Sequence, residues 1–305
     1  MLPIKRNTMK QVIKEWDLYV LSIPGLVLLI IFSYIPIYGL TIAFKDFNIH
    51  RGILGSEWVG LEHFRYLFSN SEFIKVIWNT LWISILNLTF GFPVPIILAL
   101  MLNEVRKIYF KSAIQTFTYL PHFLSWVVVS GIFIDLLSPN GGIVNTVIKA
   151  FGIEPVFFMG NTDYFRGILV ITKIWKECGW EAIIYIAAIS SIDPELYQAA
   201  GIDGAGRFKQ VWHITISGIR SSIVILFILK VGYIMSAGME QVLMMYNPSV
   251  YNVADIIDTY IYRIAFNRLE FSITTAAGLF KSVVGCILML ITDRVAKSLG
   301  ENGVF

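Results

Sequence analysis

No charged side chain occurs between Asp17 and Lys45, and an apolar run of that length admits few folds. At about 1.5 Å per residue, a helix over Leu18–Phe44 crosses the ~30 Å hydrocarbon core of a bilayer. In lipid a lone helix is the element that satisfies its own backbone groups. Comparable runs follow at Phe73–Leu102, Ser112–Leu137, Phe165–Ile189, Arg220–Tyr246 and Phe271–Ile291. With 56% hydrophobic residues and a mean hydropathy of +0.69, the chain is too apolar for an ordinary water-soluble domain. The sequence therefore predicts an all-α polytopic membrane protein with six transmembrane helices. Pro24, Pro36, Pro93, Pro95 and Pro121 fall inside these runs, where neighbouring helices satisfy the carbonyls that proline frees.

Orientation follows from charge. Segments 1–17, 103–111, 191–220 and 293–305 together hold twelve Lys and Arg, against six in the longer set 45–72, 138–164 and 247–270. The positive-inside bias predicts both termini in the cytoplasm. The chain divides into an N-terminal cytoplasmic segment 1–17, a transmembrane domain 18–292 with a cytoplasmic loop 191–219, and a cytoplasmic tail 293–305. No cleavage pattern follows the first run, so no signal peptide is expected to be removed. The opposite segments contain helical patterns near 143–151 and around Ile256, Ile257, Tyr260 and Ile261. Cys178 and Cys286 both sit in apolar runs and suggest no disulfide framework. The net charge of +3 is too small to indicate a nucleic-acid partner.

The fourth run carries Lys173, Lys176, Glu177 and Glu181, and the fifth carries Lys230 and Glu240. An ionised group near the bilayer centre costs about 2.5–3.5 kcal/mol on insertion scales, so these groups face protein or water. Spacings of three and four put Lys173, Lys176 or Glu177, and Glu181 on one helix face, and Lys173 and Glu177 are expected to pair. Such a face suits a water-filled path through the membrane, with Trp180 and Tyr233 adding aromatic surface to it. Packing pairs within the bundle would use the same residues. Gly232, Ser236, Ala237 and Gly238 place small residues about a turn apart in the fifth run, which allows close helix approach.

Between the fourth and fifth runs lies SIDPELYQAAGIDGAGRFKQVWHITISGI, Ser191 to Ile219. Asp193 before Pro194 is a helix start, Asp203-Gly204 interrupts the helix, and Ala205–Ile214 resumes it. The product is two short helices with a bend, offering Leu196, Ala199, Ala200 and Phe208 as an apolar ridge. Gln198-Ala199-Ala200, three residues, Gly204, nine residues and Ile214-Thr215-Ile216-Ser217 keep the full spacing of the EAA loop of type I ABC importer permeases. Gln198, Ile216 and Ser217 stand where that family has Glu, Leu and Pro. Asp203-Gly204-Ala205, Trp212-His213-Ile214-Thr215, Asn247-Pro248-Ser249-Val250-Tyr251 and Ala254-Asp255-Ile256-Ile257-Asp258-Thr259 resemble the maltose-permease-like carbohydrate branch, in particular its oligosaccharide and polysaccharide permeases.

The resemblance implies a non-catalytic permease subunit in the bacterial plasma membrane. It also implies a second, similar permease, two ATPase subunits that carry the ATP and Mg, an extracytoplasmic solute-binding protein, and import by alternating access. Gln198, Ala199, Ala200, Asp203, Gly204 and Phe208 become the ATPase-coupling candidates, and Lys173, Lys176, Glu177, Trp180 and Tyr233 the substrate-path candidates. Aromatic rings stack on the C–H faces of sugars while charged and amide groups bond the hydroxyls, and the lysines favour an acidic oligosaccharide. An ion-coupled secondary transporter using the span-four charges is the alternative. No Gly-x4-Gly-Lys-Ser/Thr loop, His-Glu-x-x-His, Cys-x-x-Cys or Gly-x-Ser-x-Gly occurs, so neither ATP hydrolysis, a metal nor a catalytic nucleophile is expected in this chain.

Overall fold

The computed structural model describes residues 16–301, 303 and 304; most of the expected N-terminal segment 1–17 lies outside this set. The first long helix, α1, runs Trp16–Phe44. It is α-helical to Leu29, passes through a π segment at Ile30–Tyr34, and tightens to a 3-10 helix over Ile35–Phe44. Pro36 lies at the start of the 3-10 segment, where its missing N–H forces the hydrogen-bond pattern to change. Trp16–Leu29 buries none of its residues, so this end of α1 is apolar all round and requires a non-aqueous surround.

A small hairpin follows, β1 (Lys45–Asp46) antiparallel to β2 (Glu57–Trp58), an element the sequence pattern did not reveal. Then come α2 (Glu62–Ser69) and α3 (Ser71–Glu104). The third expected span is broken into α4 (Ile108–Phe123) and α5 (Trp126–Leu136), set at 105° to each other. Pro121 starts the break, and Ser125 caps α5 by accepting the Val128 N–H. The short α6 (Ile143–Ala150) leads to α7 (Thr162–Ser190), capped by Asn161.

The loop forms α8 (Pro194–Ile202) and α9 (Arg207–Gly218), and α10 (Arg220–Gly232) leaves α9 at 59°. The second loop helix begins at Arg207 and not at Ala205, because Gly206 occupies the extended N-cap position. The fifth run is not one helix either. It stops at Gly232 and resumes as α11 (Met239–Met245), with Gly238 at φ +96. Two members of the small-residue group pack closely: a Cβ on Gly285 would meet the Gly232 carbonyl oxygen at 2.5 Å, and Ala237, in the break, is buried in a core cluster with Ile83 and Leu169.

α12 (Ile257–Asn267) and α13 (Phe271–Ser298) complete the chain. α13 runs past the expected end of the transmembrane domain at residue 292. The tail then folds back, with Val304 N–H donating to Asp293 Oδ1 at 2.6 Å and Arg220 pairing with Glu301 at 2.6 Å.

α7 is the central element, packed on α3, α4 and α10, while α13 packs on α1, α10 and α12. Segment 247–270 folds over one end of these helices. Its Ile256, Ile257 and Tyr260 are fully buried, with Tyr260 against Phe73 of α3. Polar bonds fix it there. Arg166 donates to Asn79 Oδ1 (2.8 Å) and Val253 O (3.1 Å), and Arg263 bridges Asp255 (2.7 Å) and Glu72 (2.8 Å). Burial works against the Arg263 charge, but Asp255 and Glu72 more than offset it and raise its pKa above the ordinary arginine value.

Among the described residues, three helices, α1, α3 and α13, are long and apolar enough to cross a membrane, and the bent pairs α4–α5 and α9–α10 raise the number to as many as five. α7 matches them in length but carries four charges in its middle.

Candidate functional site

A cavity of about 290 Å³ opens between α3, α7, α10 and the break that follows α10. Sequence dictates one wall directly. Pro93 has no N–H to give the helix, and the turn before it, Asn87–Gly91, relaxes to a π segment. That widened turn brings Asn87 and Gly91 to the cavity. The facing wall is α7 with Lys173, Glu177 and Glu181; α10 adds Lys230, and the break adds Tyr233 and Ser236.

The charges are arranged in two clusters. Lys230 Nζ lies 2.6 and 2.8 Å from the two carboxylate oxygens of Glu181. Glu177 turns the other way. Its Oε2 accepts from His122 Nδ1 at 2.7 Å, and its Oε1 lies 3.4 Å from Lys176 Nζ. The expected Lys173–Glu177 pair is absent among the described residues, because the 3-10 turn Leu120–Phe123 that ends α4 sets His122 against α7, where it takes the Glu177 carboxylate. Lys173 has no ion-pair or hydrogen-bond partner among the described residues.

Lys176 is buried, donates to the His122 carbonyl at 2.7 Å and sits 5.5 Å from the Trp126 ring centroid. Trp180 stacks flat on the His122 ring, centroids 4.5 Å apart. Of the five path candidates, then, Lys173, Glu177 and Tyr233 share the cavity, while Lys176 and Trp180 hold the kinked span to α7. Gly179 lets that contact form: a Cβ there would sit 2.0 Å from the Thr118 carbonyl oxygen. Sequence reading overlooked His122 and Gly179. The one available signal was Pro121-His122 interrupting an apolar run.

The loop between α7 and α10 has the form its spacing predicts. Asp193 Oδ1 accepts the Glu195 N–H at 2.9 Å. At the end of α8, Ala205 N–H reaches back to Ala200 O (2.8 Å) and Gly204 N–H to Gly201 O (3.2 Å), with Gly204 at φ +74. This is a left-handed helix stop that requires glycine. Tyr197 Oη and Thr215 Oγ1, 3.0 Å apart, join α8 to α9. Gln198, Ala199 and Asp203 are exposed and Ala200 is half-buried. Phe208 is 91% exposed and Ile202, absent from the expected ridge, 89%. Leu196 and Phe208 of the expected ridge are exposed, and Ile202 and Trp212, outside it, are exposed as well.

A multi-helix membrane protein with a charged central cavity and a bare amphipathic loop continuous with the cavity helices has the form of a permease. The chain belongs to the family of binding-protein-dependent transport system inner membrane components, matched over residues 91–301. It is 45% identical over 301 residues to the polygalacturonan/rhamnogalacturonan transport system permease protein YteP of Bacillus subtilis (strain 168), covering 99% of this chain and 94% of that one. It is 46% identical over 291 residues to protein LplB of the same organism, covering 95% and 91%. Its fold matches a chain of the solved bacterial alginate ABC transporter in complex with alginate pentasaccharide-bound periplasmic protein, with a TM-score of 0.89 and 39% identity over 97% and 99% of the two chains. The chain is thus a membrane-embedded ABC importer permease of the carbohydrate branch, as its loop spacing implied. An ion-driven carrier is not favoured: both span-four carboxylates are occupied by basic groups of the same chain.

Proposed function

We propose that this chain is the membrane subunit of an ATP-driven importer of acidic oligosaccharides, worked by alternating access through the loop 191–219. The observation that carries the reading is continuity. α7 and α10, which supply Lys173, Glu181 and Lys230 to the cavity, are the two helices joined by the loop, so a displacement of the loop moves both cavity walls as packed bodies. Leu196, Ile202, Phe208 and Trp212 form a ridge suited to a groove on an ATPase, with Gln198 and Asp203 as polar contacts and Ala199, Ala200 and Gly204 allowing close approach.

Counting α7 gives six spans, and the positive-inside rule puts both termini and the loop in the cytoplasm. ATP and Mg bind to two ATPase subunits, a second permease completes the path, and an extracytoplasmic binding protein delivers the sugar. The relatives named for polygalacturonan, rhamnogalacturonan and alginate transport support an acidic sugar, as does Lys173, the cavity lysine without an ion-pair partner among the described residues.

Co-purification in mild detergent from the native membrane tests this. The native chain is expected to carry an ATPase and a second multi-span protein, and Gly204→Trp, which cannot hold φ +74 without strain, is expected to lose the ATPase. A native chain that purifies alone and behaves like the variant would sink the reading.

A further inference from the structure

The charges around the cavity do not balance within the chain. Lys230 is held by Glu181, and Glu177 is held by His122 and Lys176. With His122 neutral, Lys173, Lys176 and Lys230 stand against Glu177 and Glu181, a surplus of one positive charge. That charge is on Lys173, which lines the cavity and has no ion-pair or hydrogen-bond partner among the described residues. A lysine ammonium at membrane depth is retained only where an anion or water meets it. Across the cavity on α3, Ser84 Oγ and both polar atoms of the Asn87 amide are buried and have no hydrogen-bond partner among the described residues, although such groups are almost always satisfied. One unpaired cation, one amide and one hydroxyl in a space of about 290 Å³, at the lower end of small-ligand sites, correspond to the groups of a single uronic acid ring.

We infer that Lys173 reads the sugar carboxylate, and that Asn87, brought to the wall by the π turn before Pro93, and Ser84, one turn earlier on α3, take the ring hydroxyls. Lys176 and Lys230 do not discriminate; they neutralise carboxylates of the chain itself. The inference rests on the proposed import of acidic oligosaccharides and assigns its selectivity to one side chain. It also limits the cavity to one carboxylate at a time, so a polyuronate passes ring by ring.

The test uses the complete transporter in proteoliposomes, at saturating binding protein, with trigalacturonate and its neutral methyl ester as probes. Wild type is expected to import the acid in preference to the ester. Lys173→Gln is expected to lower uptake of the acid about tenfold or more, the size of a lost charge-assisted hydrogen bond, and uptake of the ester far less, so that the preference for the acid is lost. Lys173→Arg should keep the preference. Lys230→Gln, which strands Glu181, should lower both alike. Co-purification of the ATPase and the second permease with Lys173→Gln reports that the variant is folded and assembled. A Lys173→Gln transporter that keeps the preference, or loses both substrates equally, overturns the inference while the acidic reading stands. A wild type that takes up both equally, or neither, removes that reading and the inference with it.

Discussion

Segment 247–270 and loop 191–219 both join long helices, and both consist of short helices with capped ends, yet their surfaces are opposite. In the first, Ile256, Ile257 and Tyr260 are completely buried and Arg263 is tied to two carboxylates. In the second, α8 buries no residue, and Ile202 and Phe208 are about nine-tenths exposed. The difference lies in where the covering surface is. The first segment finds its apolar partner on α3 and α13 of its own chain, whereas the loop presents apolar side chains that no described part of the chain covers. One region is covered by its own chain; the other is the surface proposed above for a partner.

The largest expected effect tests the first half of that contrast. Tyr260→Ala removes a fully buried ring packed 5.4 Å from Phe73, and large-to-small changes of this kind cost about 3–5 kcal/mol. Chemical unfolding of the purified subunit should show that loss, and a variant as stable as wild type would mean that segment 247–270 is not a structural cap. Phe208→Asp sharpens the other half. On the isolated subunit it should change stability by less than about 0.5 kcal/mol, as for an exposed site, while weakening ATPase binding by about 2 kcal/mol, as an interface anchor does. Titration of the ATPase onto the reconstituted subunit measures this, and unaltered binding would remove Phe208 from the contact. The smallest effect concerns the frame of the loop. Asp193→Ala deletes the cap on the Glu195 N–H and should destabilise α8 by about 1 kcal/mol, seen as faster hydrogen exchange over 194–202 with the rest of the subunit unchanged.

Loop 191–219 was readable because its determinants are local. Asp193, Pro194 and Gly204 act on backbone groups within a few residues, and the structure reproduces the cap and the glycine stop they imply. The cavity was only half readable. Period-3.6 spacing correctly put Lys173, Glu177 and Glu181 on one face, but the choice of ion pairs was decided by residues far away in the chain. His122 reaches Glu177 from the 3-10 turn that ends α4, and Lys230 reaches Glu181 from α10. The i,i+4 pairing of Lys173 with Glu177, worth a few tenths of a kcal/mol at best, lost to hydrogen bonds made across helices.

Composition and local chain geometry, both written in the sequence, determined three features by themselves: a chain of apolar helices that belongs in a bilayer, the prolines that break or relax them, and a capped helical loop between the fourth and fifth runs. Only the tertiary structure decided which charges are paired and which are left over. Coulomb and hydrogen-bond energies depend on distances of a few ångströms, and those distances between α3, α4, α7 and α10 are set by how the helices pack. That packing alone left Lys173 without an anion, and Ser84 and Asn87 without partners, among the described residues.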